Sequence, residues 1–338
     1  MGYEVELSPS GEVFDVADGE TILDAALRAG IELQYGCRHG NCSTCKYLVE
    51  DGEVDYGKAS AYSLPDRERE EGWALLCCAR PQTDLLIRDH RRQDTRARPV
   101  LKPVTTTARV VACTPLTAEL WELRVELPAP IEFYAGQYAE LGLDVDGQTL
   151  WRSYSMASAP ADARHLAFVL KRIDGGAFSS RVTALAPGAA LALRGPFGAS
   201  YLRDGAAPVL FAAIGSGLAP ILAMLRDAAA RGDAREFTFY YGARRPQDLP
   251  YGDELAALGA KLPGLRYVPT LDGLADGETW HGAVGNVTQA IQREVDDARA
   301  LDVYLCGAPA MCETVGRLLR AKGLPEDHLF FDRFFAAT

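Results

Sequence analysis

Four cysteines near the amino end constrain this chain more than any other feature of its sequence. Cys37, Cys42 and Cys45 lie within nine positions in the spacing C-x4-C-x2-C, and Cys77 follows after 31 intervening residues. The first residues contain no apolar signal-peptide region, which predicts a cytoplasmic location, where thiols stay reduced. A disulfide framework is therefore disfavoured, and these cysteines are expected to bind a metal.

The spacing distinguishes between two kinds of metal centre. Structural zinc sites usually take their thiolates as two separated pairs of closely spaced ligands. Here three cysteines come from one loop and one from a distant segment, which is the spacing of the plant-type [2Fe-2S] cluster. The adjacent Cys77 and Cys78 leave the fourth ligand open, because alternation along an extended run lets only one of them face the cluster. A zinc-bearing module is the alternative.

Charge and hydropathy limit the partners of this chain. Its 338 residues carry a net charge of −11, which argues against nucleic acid, because phosphate binding needs a basic surface. Residues 1–87 hold 17 acidic and 7 basic side chains, an excess that either steers docking onto a basic partner or serves solubility alone.

Residues 206–225 are uncharged and long enough to cross a membrane. Gly215, Gly217 and Pro220 interrupt them, which favours a strand, a turn and a helix start instead.

The residue pattern changes twice after residue 90, which predicts three domains and a linker. Residues 1–90 form the cysteine-rich domain, and residues 91–104 hold charges without an apolar run, as a solvated linker does. Short β-rich runs such as 120–127 predict an antiparallel β-barrel over residues 105–203. Strand and helix patterns alternate through residues 204–338, which predicts an α/β domain with a parallel sheet.

Two motifs in the barrel segment have the composition of a flavin site. Arg152, Tyr154 and Ser155 follow a barrel-like strand and offer a fork of donors, a flat ring and a hydroxyl. These groups suit a diphosphate, an isoalloxazine face and a ring nitrogen, although for an isolated match an exposed strand end is the favoured interpretation. Residues 175–180, Gly-Gly-Ala-Phe-Ser-Ser, then precede a helical pattern and can supply backbone amides to an anion.

Two further motifs lie at predicted strand ends in the last segment. Residues 215–220 differ from the dinucleotide fingerprint G-x-G-x-x-G by ending in Pro220, which suits the first turn of a helix. Residues 306–309, Cys-Gly-Ala-Pro, close a later strand at the same carboxyl edge, where open α/β sheets bind ligands. For either motif alone, a structural turn is the alternative.

Taken together, these motifs resemble the ferredoxin-linked branch of the ferredoxin–NAD(P)H reductase family over essentially the whole chain. The resemblance implies a β-grasp-like ferredoxin domain of the α+β class, then a flavin barrel, then a nicotinamide domain. Residues 37–42 and 72–78 look most similar to the reductase components of bacterial soluble di-iron monooxygenases. Reductases of Rieske ring-hydroxylating dioxygenases are the second interpretation, and a flavin and iron–sulfur redox sensor is the interpretation from another class.

The resemblance also implies a role for each motif residue. The cluster ligands would be Cys37, Cys42, Cys45 and Cys77. Cys77 is preferred to Cys78, because the family's fourth ligand lies four residues before a proline, here Pro81. FAD would contact Arg152, Tyr154, Ser155, Gly176 and Ser179. The nicotinamide nucleotide would contact Gly215, Gly217, Pro220, Cys306, Gly307 and Pro309. Ser155 and Cys306 would border the site of hydride transfer, with no side chain acting as acid or base.

The choice of nucleotide depends on the loop after the second strand of the nucleotide domain, which is expected to meet the adenosine ribose. Arg244 and Asp248 belong to this loop. The carboxylate of Asp248 can accept a hydrogen bond from a ribose 2′-hydroxyl, whereas Arg245 would favour a 2′-phosphate. The resemblance favours NADH, and it implies an electron path from NADH through FAD and the [2Fe-2S] cluster to an oxygenase component.

Overall fold

The structure, a computed structural model, describes residues 2–89, 94–274 and 279–335. Residues 91–93 of the predicted linker lie outside the described residues. The chain divides into two compact units, Met1–Pro103 with Phe335–Thr338, and Val104–Phe334, and each is considered by itself. The strands of the first unit are β1 (Tyr3–Ser8), β2 (Glu12–Val16), β3 (Lys46–Asp51), β4 (Val54–Asp55), β5 (Trp73–Leu75), β6 (Arg80–Pro81) and β7 (Leu85–Arg88). Its helices are α1 (Ile22–Ala29) and α2 (Asp66–Glu70).

The first unit is a mixed sheet with a helix packed on it. The strand order is β2-β1-β7-β3-β5, in which β1 and β7 are parallel and the other neighbours antiparallel, and β4 pairs with β6 separately. Thr21 caps α1 by accepting from the Asp24 amide, and Gly30 ends the helix in the left-handed conformation. Its apolar face, including Ile22 and Leu23, is fully buried. The predicted α+β architecture is confirmed.

The second unit begins with an antiparallel sheet. Its strands are β8 (Val104–Pro115), β9 (Leu120–Glu126), β10 (Tyr138–Val145), β11 (Gln148–Ser155), β12 (His165–Lys171) and β13 (Ala190–Phe197), and a short helix is α3 (Ser179–Val182). The order is β11-β10-β13-β8-β9-β12, and a bridge between Met156 and Phe168 joins the two outer strands. Alternate residues such as Leu123, Leu141 and Leu193 fill the interior. The predicted barrel is confirmed.

The rest of this unit is a parallel sheet covered on both faces. Its strands are β14 (Val209–Ile214), β15 (Phe237–Ala243), β16 (Leu265–Leu271), β17 (Ala283–Val284), β18 (Asp302–Gly307) and β19 (Leu329–Arg333). Its helices are α4 (Leu218–Arg231), α5 (Gly252–Lys261), α6 (Val287–Glu294) and α7 (Pro309–Ala321). The order is β17-β16-β15-β14-β18-β19, so the chain reverses direction across the sheet at β14. Parallel α/β sheets bind ligands at such a switch point, at the carboxyl ends of the strands.

The uncharged residues 206–225 form a strand, a turn and a helix start, as predicted. β14 ends at Ile214, a 3-10 turn covers Gly215–Gly217, and α4 begins at Leu218. Within the described ranges no helix has both the length and the apolar character that a membrane span requires.

Candidate redox sites

The first three cysteines lie in the loop between α1 and β3, and this loop turns sharply. Arg38 and Ser43 have left-handed φ values of 60° and 58°, which side-chain-bearing residues rarely adopt. The backbone thereby directs N–H groups at sulfur atoms. The amide of Cys37 donates to Cys42 Sγ and the amide of His39 donates to Cys37 Sγ, both at 3.3 Å. Such donors stabilise the negative charge of thiolate ligands and of a cluster bound to them.

The four predicted ligands form two pairs of sulfur atoms. The thiol of Cys37 hydrogen-bonds with Cys42, and the thiol of Cys77 hydrogen-bonds with Cys45. The hydrogen bond between Cys37 and Cys42 lowers the pKa of Cys42 to about 5 and raises the pKa of Cys37, because the two sulfur atoms share one proton. Among the described residues, no three side chains of His, Cys, Asp or Glu converge as a single-ion site requires. A [2Fe-2S] cluster takes four thiolates shared between two irons, so the residues present fit this group.

The segment with the fourth cysteine differs from the sequence expectation. β5 ends at Leu75, and Cys77 and Cys78 follow in a turn rather than in an extended run. Both thiols are therefore buried on the same side, with their Sγ atoms 3.7 Å apart. The alternation argument fails here because turn residues do not have the twofold side-chain period of a strand. Cys45 hydrogen-bonds with Cys77, and this contact favours Cys77 as the fourth ligand.

Contacts outside the cysteine motif hold the loop in place, and sequence reasoning did not identify them. Arg38 forms an ion pair with Asp24 of α1, and its guanidinium is nearly buried. The hydroxyl of Ser60 donates to the carbonyl of Gly40 at 3.1 Å. The hydroxyl of Ser43 donates to the carbonyl of Ser63 at 3.0 Å. No pattern in the sequence marks these partners, because they meet only when α1 and the loop at residues 59–64 fold against the cysteines.

Replacing Gly40 by Ala is expected to remove most of the bound cluster. Gly40 has a φ of +74°, and a Cβ there would lie 2.8 Å from Cys78 Sγ and 3.2 Å from both Ala59 Cα and Lys58 O. Because two of these neighbours are backbone atoms, the cysteine loop must shift. The measurement is the iron and acid-labile sulfide content of the purified protein. Gly19→Ala is the matched control, since Gly19 has a φ of +76° with nothing within 4 Å. Equal iron content in both variants would contradict this prediction.

The predicted flavin motif lies at the carboxyl end of β11. Arg152 and Tyr154 are half-buried, and the ring of Tyr154 packs against Phe178 with centroids 5.6 Å apart. The Arg152 Nη1 donates to the neighbouring carbonyl of Trp151 at 2.8 Å. Ser155 is buried, and its hydroxyl donates to Asp332 Oδ2 at 2.8 Å. The strand thus places a cation, an aromatic ring and a hydroxyl in sequence along one sheet end.

The predicted anion loop is present, but its helix is shorter than the sequence pattern suggests, because α3 has only four residues. The hydroxyl of Ser179 accepts from the Ile173 amide at 3.0 Å, and the Gly176 amide donates to the Ile173 carbonyl at 2.9 Å. The next three amides along the chain, those of Ala177, Phe178 and Ser179, donate to no acceptor within the described part of the chain. Three consecutive unused amides suit a diphosphate, so the loop fits FAD.

The flavin motif meets the nucleotide sheet through Asp332. This residue lies on β19 opposite Cys306 of β18, so Ser155, Cys306 and Asp332 come together. Complete burial raises the pKa of the Cys306 thiol, and the nearby Asp332 carboxylate acts in the same direction. Cys306 is therefore a neutral thiol. The resemblance implies that the segment 331–334 lies near the flavin, but the pairing of Asp332 with Ser155 could not be found from sequence spacing, because the two residues are 177 positions apart.

The two glycine motifs of the nucleotide domain lie side by side at the switch point. A Cβ at Gly217 would lie 2.2 Å from the Cys306 carbonyl oxygen, and one at Gly307 would lie 3.0 Å from the Ile214 carbonyl oxygen. Glycine is therefore required for the turn after β14 to pack against the end of β18. Pro309 begins α7. Pro220 lies in the first turn of α4, and Gly215 has a φ of +56°. The structure brings all six predicted nucleotide residues of these two motifs to one edge.

The loop after β15 shows a contact that the sequence did not predict. Arg244 Nη1 donates to Glu119 of the barrel segment at 2.9 Å. Asp248 ends a 3-10 turn, Pro246–Asp248, and is half-buried. Arg244 and Asp248 thus share one loop at the carboxyl edge, but the arginine already has a carboxylate partner.

Three family models match the chain in the order that its motifs predict. A 2Fe-2S iron-sulfur cluster binding domain matches residues 5–82, an oxidoreductase FAD-binding domain residues 107–201, and an oxidoreductase NAD-binding domain residues 211–317. The fold and these three domains define an iron–sulfur flavoprotein oxidoreductase that uses a nicotinamide nucleotide.

Relatives match over nearly the whole chain. The reductase component DmpP of phenol 2-monooxygenase from Pseudomonas sp. (strain CF600) is 38% identical, covering 100% of this chain and 96% of that protein. The reductase component of propane 2-monooxygenase from Rhodococcus jostii (strain RHA1) is 35% identical, covering 98% and 91%. The solved structure of the Amycolatopsis cytochrome P450 reductase GcoB is 31% identical with a TM-score of 0.88, covering 99% and 100%. The chain belongs to the ferredoxin–NAD(P)H reductase family, among its members with a [2Fe-2S] domain.

Proposed function

We propose that this protein is the reductase component of a soluble di-iron monooxygenase and that it works in the cytoplasm with NADH. The observation that carries the flavin and nicotinamide part of the proposal is the hydrogen bond between Ser155 and Asp332, which joins the flavin motif to the nucleotide sheet beside Cys306. Similarity to the reductase components of phenol and propane monooxygenases supports the choice of electron acceptor.

The proposal includes a division of the chain into domains and a set of ligands. The ferredoxin domain comprises residues 1–90, the linker 91–104, the FAD-binding barrel 105–203 and the NAD-binding domain 204–338. The start of β8 at Val104, within one residue of this limit, supports the boundary before the barrel. The cluster ligands are Cys37, Cys42, Cys45 and Cys77, supported by the pairing of their sulfur atoms.

Each site residue has a distinct task in the proposed reaction. Bound FAD would supply the chemistry that converts the electron pair of NADH into single electrons for the cluster. Tyr154 provides a flat face for the isoalloxazine, while Arg152 and the amides of residues 177–179 bind the diphosphate. Ser155 would place its hydroxyl near the flavin N5; because this hydroxyl donates its proton to Asp332, its oxygen is left to accept a hydrogen bond there. These groups position and polarise, and none of them acts as a general acid or base.

The nature of the acceptor is tested by comparing oxygenase components directly. The reduced protein is mixed anaerobically with the hydroxylase component of a phenol monooxygenase, with a Rieske dioxygenase component, or with a cytochrome P450. We expect electron transfer to the first to be faster by about tenfold or more, because only a complementary docking surface gives fast association. Reoxidation of the cluster, followed by its absorbance, gives the rate.

The outcomes separate the alternatives. Faster transfer to the Rieske component would support the second interpretation and contradict the proposal. A protein that reduces none of the three acceptors, and ferricyanide only over a few turnovers, would behave as a redox sensor instead of a reductase.

A further inference from the structure

A carboxylate of the barrel segment lies at the loop that follows β15. Glu119 immediately precedes β9 and forms ion pairs with Arg244 Nη1 at 2.9 Å and with Lys171 Nζ at 2.8 Å. The hydrogen bond from Lys171, together with the charge of Arg244, lowers the pKa of Glu119. Glu119 therefore carries a full negative charge at neutral pH and holds the Arg244 guanidinium.

The other polar residues of this loop differ from Arg244 in their contacts. Arg245 is exposed and has no carboxylate partner within the described residues. Asp248 is half-buried at the end of the turn, where a carboxylate can accept from a ribose 2′-hydroxyl. The loop thus holds two arginines, the groups that bind a 2′-phosphate, but the charge of one of them is neutralised.

We propose that Glu119 is a specificity-determining residue that makes this site prefer NADH to NADPH. It withholds Arg244 from a 2′-phosphate and places a negative charge beside the position that this phosphate would take. An uncharged 2′-hydroxyl is not affected in this way, because it does not need a cation. The inference rests on the proposed position of the adenosine ribose at the loop containing Arg244 and Asp248.

The size of the effect follows from exposure. The side chains of Glu119 and Arg244 are 45% and 69% exposed, so their charges interact largely through water. At such sites, like charges a few ångströms apart change affinity by about tenfold, and salt screens the interaction. The discrimination that Glu119 supplies is therefore expected to be about tenfold at low ionic strength and smaller at high ionic strength.

A purely structural role for Glu119 is the competing explanation, because the ion pair also connects the barrel to the nucleotide sheet. A second contact of this kind lies three positions along the chain, where Glu122 Oε1 accepts from the Tyr251 hydroxyl at 2.6 Å. Glu122 contacts neither arginine of the loop among the described pairs. Glu122→Gln is therefore a matched control that alters a bridging carboxylate without freeing Arg244.

The experiment measures binding of 2′,5′-ADP and 5′-ADP to the oxidised holoenzyme by calorimetry. Glu119→Gln should tighten the binding of 2′,5′-ADP by about tenfold and change the affinity for 5′-ADP by less than about twofold. The ratio of kcat/KM for NADPH to that for NADH should rise by the same factor. Glu122→Gln should change neither the relative affinity for 2′,5′-ADP and 5′-ADP nor the ratio of the two kcat/KM values. Adding Arg244→Gln to Glu119→Gln should reverse the gain, because the freed guanidinium is then absent.

Three results would overturn the inference in distinguishable ways. If Glu119→Gln changes the affinity for both ligands by the same factor, Glu119 acts only as a structural bridge. A gain that survives the loss of Arg244 would assign discrimination to another group. If Arg244→Gln and Asp248→Asn both leave binding of the two ligands unaltered, the ribose lies elsewhere, and the proposed nucleotide site fails together with this inference.

Discussion

A Cys42→Ser variant is expected to accept two electrons from NADH in an anaerobic titration, whereas the unaltered protein accepts three. Cys42 is buried, pairs with Cys37 and receives a backbone hydrogen bond, and a serine there replaces the soft thiolate that iron–sulfur clusters take by a much less acidic hydroxyl, which is a poorer ligand. The flavin motif belongs to the other compact unit and should remain reducible. Reduction of the oxygenase component should fall by about 100-fold or more, while ferricyanide reduction is kept.

The control for this variant is Cys113→Ser. Cys113 lies on β8 of the barrel, half-buried and outside every motif, so its variant should take up three electrons and keep its iron. Uptake of three electrons by Cys42→Ser, with its iron–sulfur absorbance bleached, would remove Cys42 from the ligand set. Uptake of only two by the unaltered protein would remove the cluster from the electron path.

A Ser155→Ala variant is expected to slow the reduction of FAD by NADH by about 100-fold, with little change in the apparent affinity for NADH. The reason is that Ser155 supplies a single hydroxyl, oriented by Asp332 at 2.8 Å, at the proposed site of hydride transfer. Loss of one preorganised hydrogen-bonding group at a reacting centre typically costs about 100-fold to 1,000-fold in rate. The measurement is stopped-flow bleaching of the flavin absorbance over a range of NADH concentrations.

Two further variants serve as comparisons for Ser155→Ala. Ser158→Ala removes a buried hydroxyl in the next loop, which accepts from the Ala167 amide at 3.3 Å, and should keep its rate within about threefold. Asp332→Asn retains an acceptor for the Ser155 hydroxyl and should slow transfer less than Ser155→Ala does. A Ser155→Ala rate equal to that of Ser158→Ala, at full FAD content, would exclude Ser155 from the transfer site.

Short-range patterns predicted most of the architecture. The run expected at 120–127 forms β9 (Leu120–Glu126), and the helix expected after Gly217 forms α4, because periodicity and turn residues act over a few positions. α5 was not predicted. The pattern after residue 180 suggested a longer helix than α3, because sequence periodicity does not show where a turn ends the helix.

Short-range patterns likewise predicted one part of the candidate site and not the other. The spacing of Cys37, Cys42 and Cys45 was sufficient to predict the cluster, because three ligands in one loop need no knowledge of the rest of the fold. The neighbouring Cys77 and Cys78 were not distinguished by alternation, because they lie in a turn with both thiols buried together.

The sequence by itself determined the kinds of cofactor and the order of the domains, since each motif, Cys77 apart, lies in a short stretch and its chemistry depends on near neighbours along the chain. Only the tertiary structure decided which motifs meet. The strand order places β14 beside β18 and brings Gly217 against Cys306, and it carries Asp332 to Ser155. Glu119 reaches Arg244 for the same reason. Such contacts join residues about 90 to 180 positions apart, and they arise from the packing of whole strands, which no local pattern encodes.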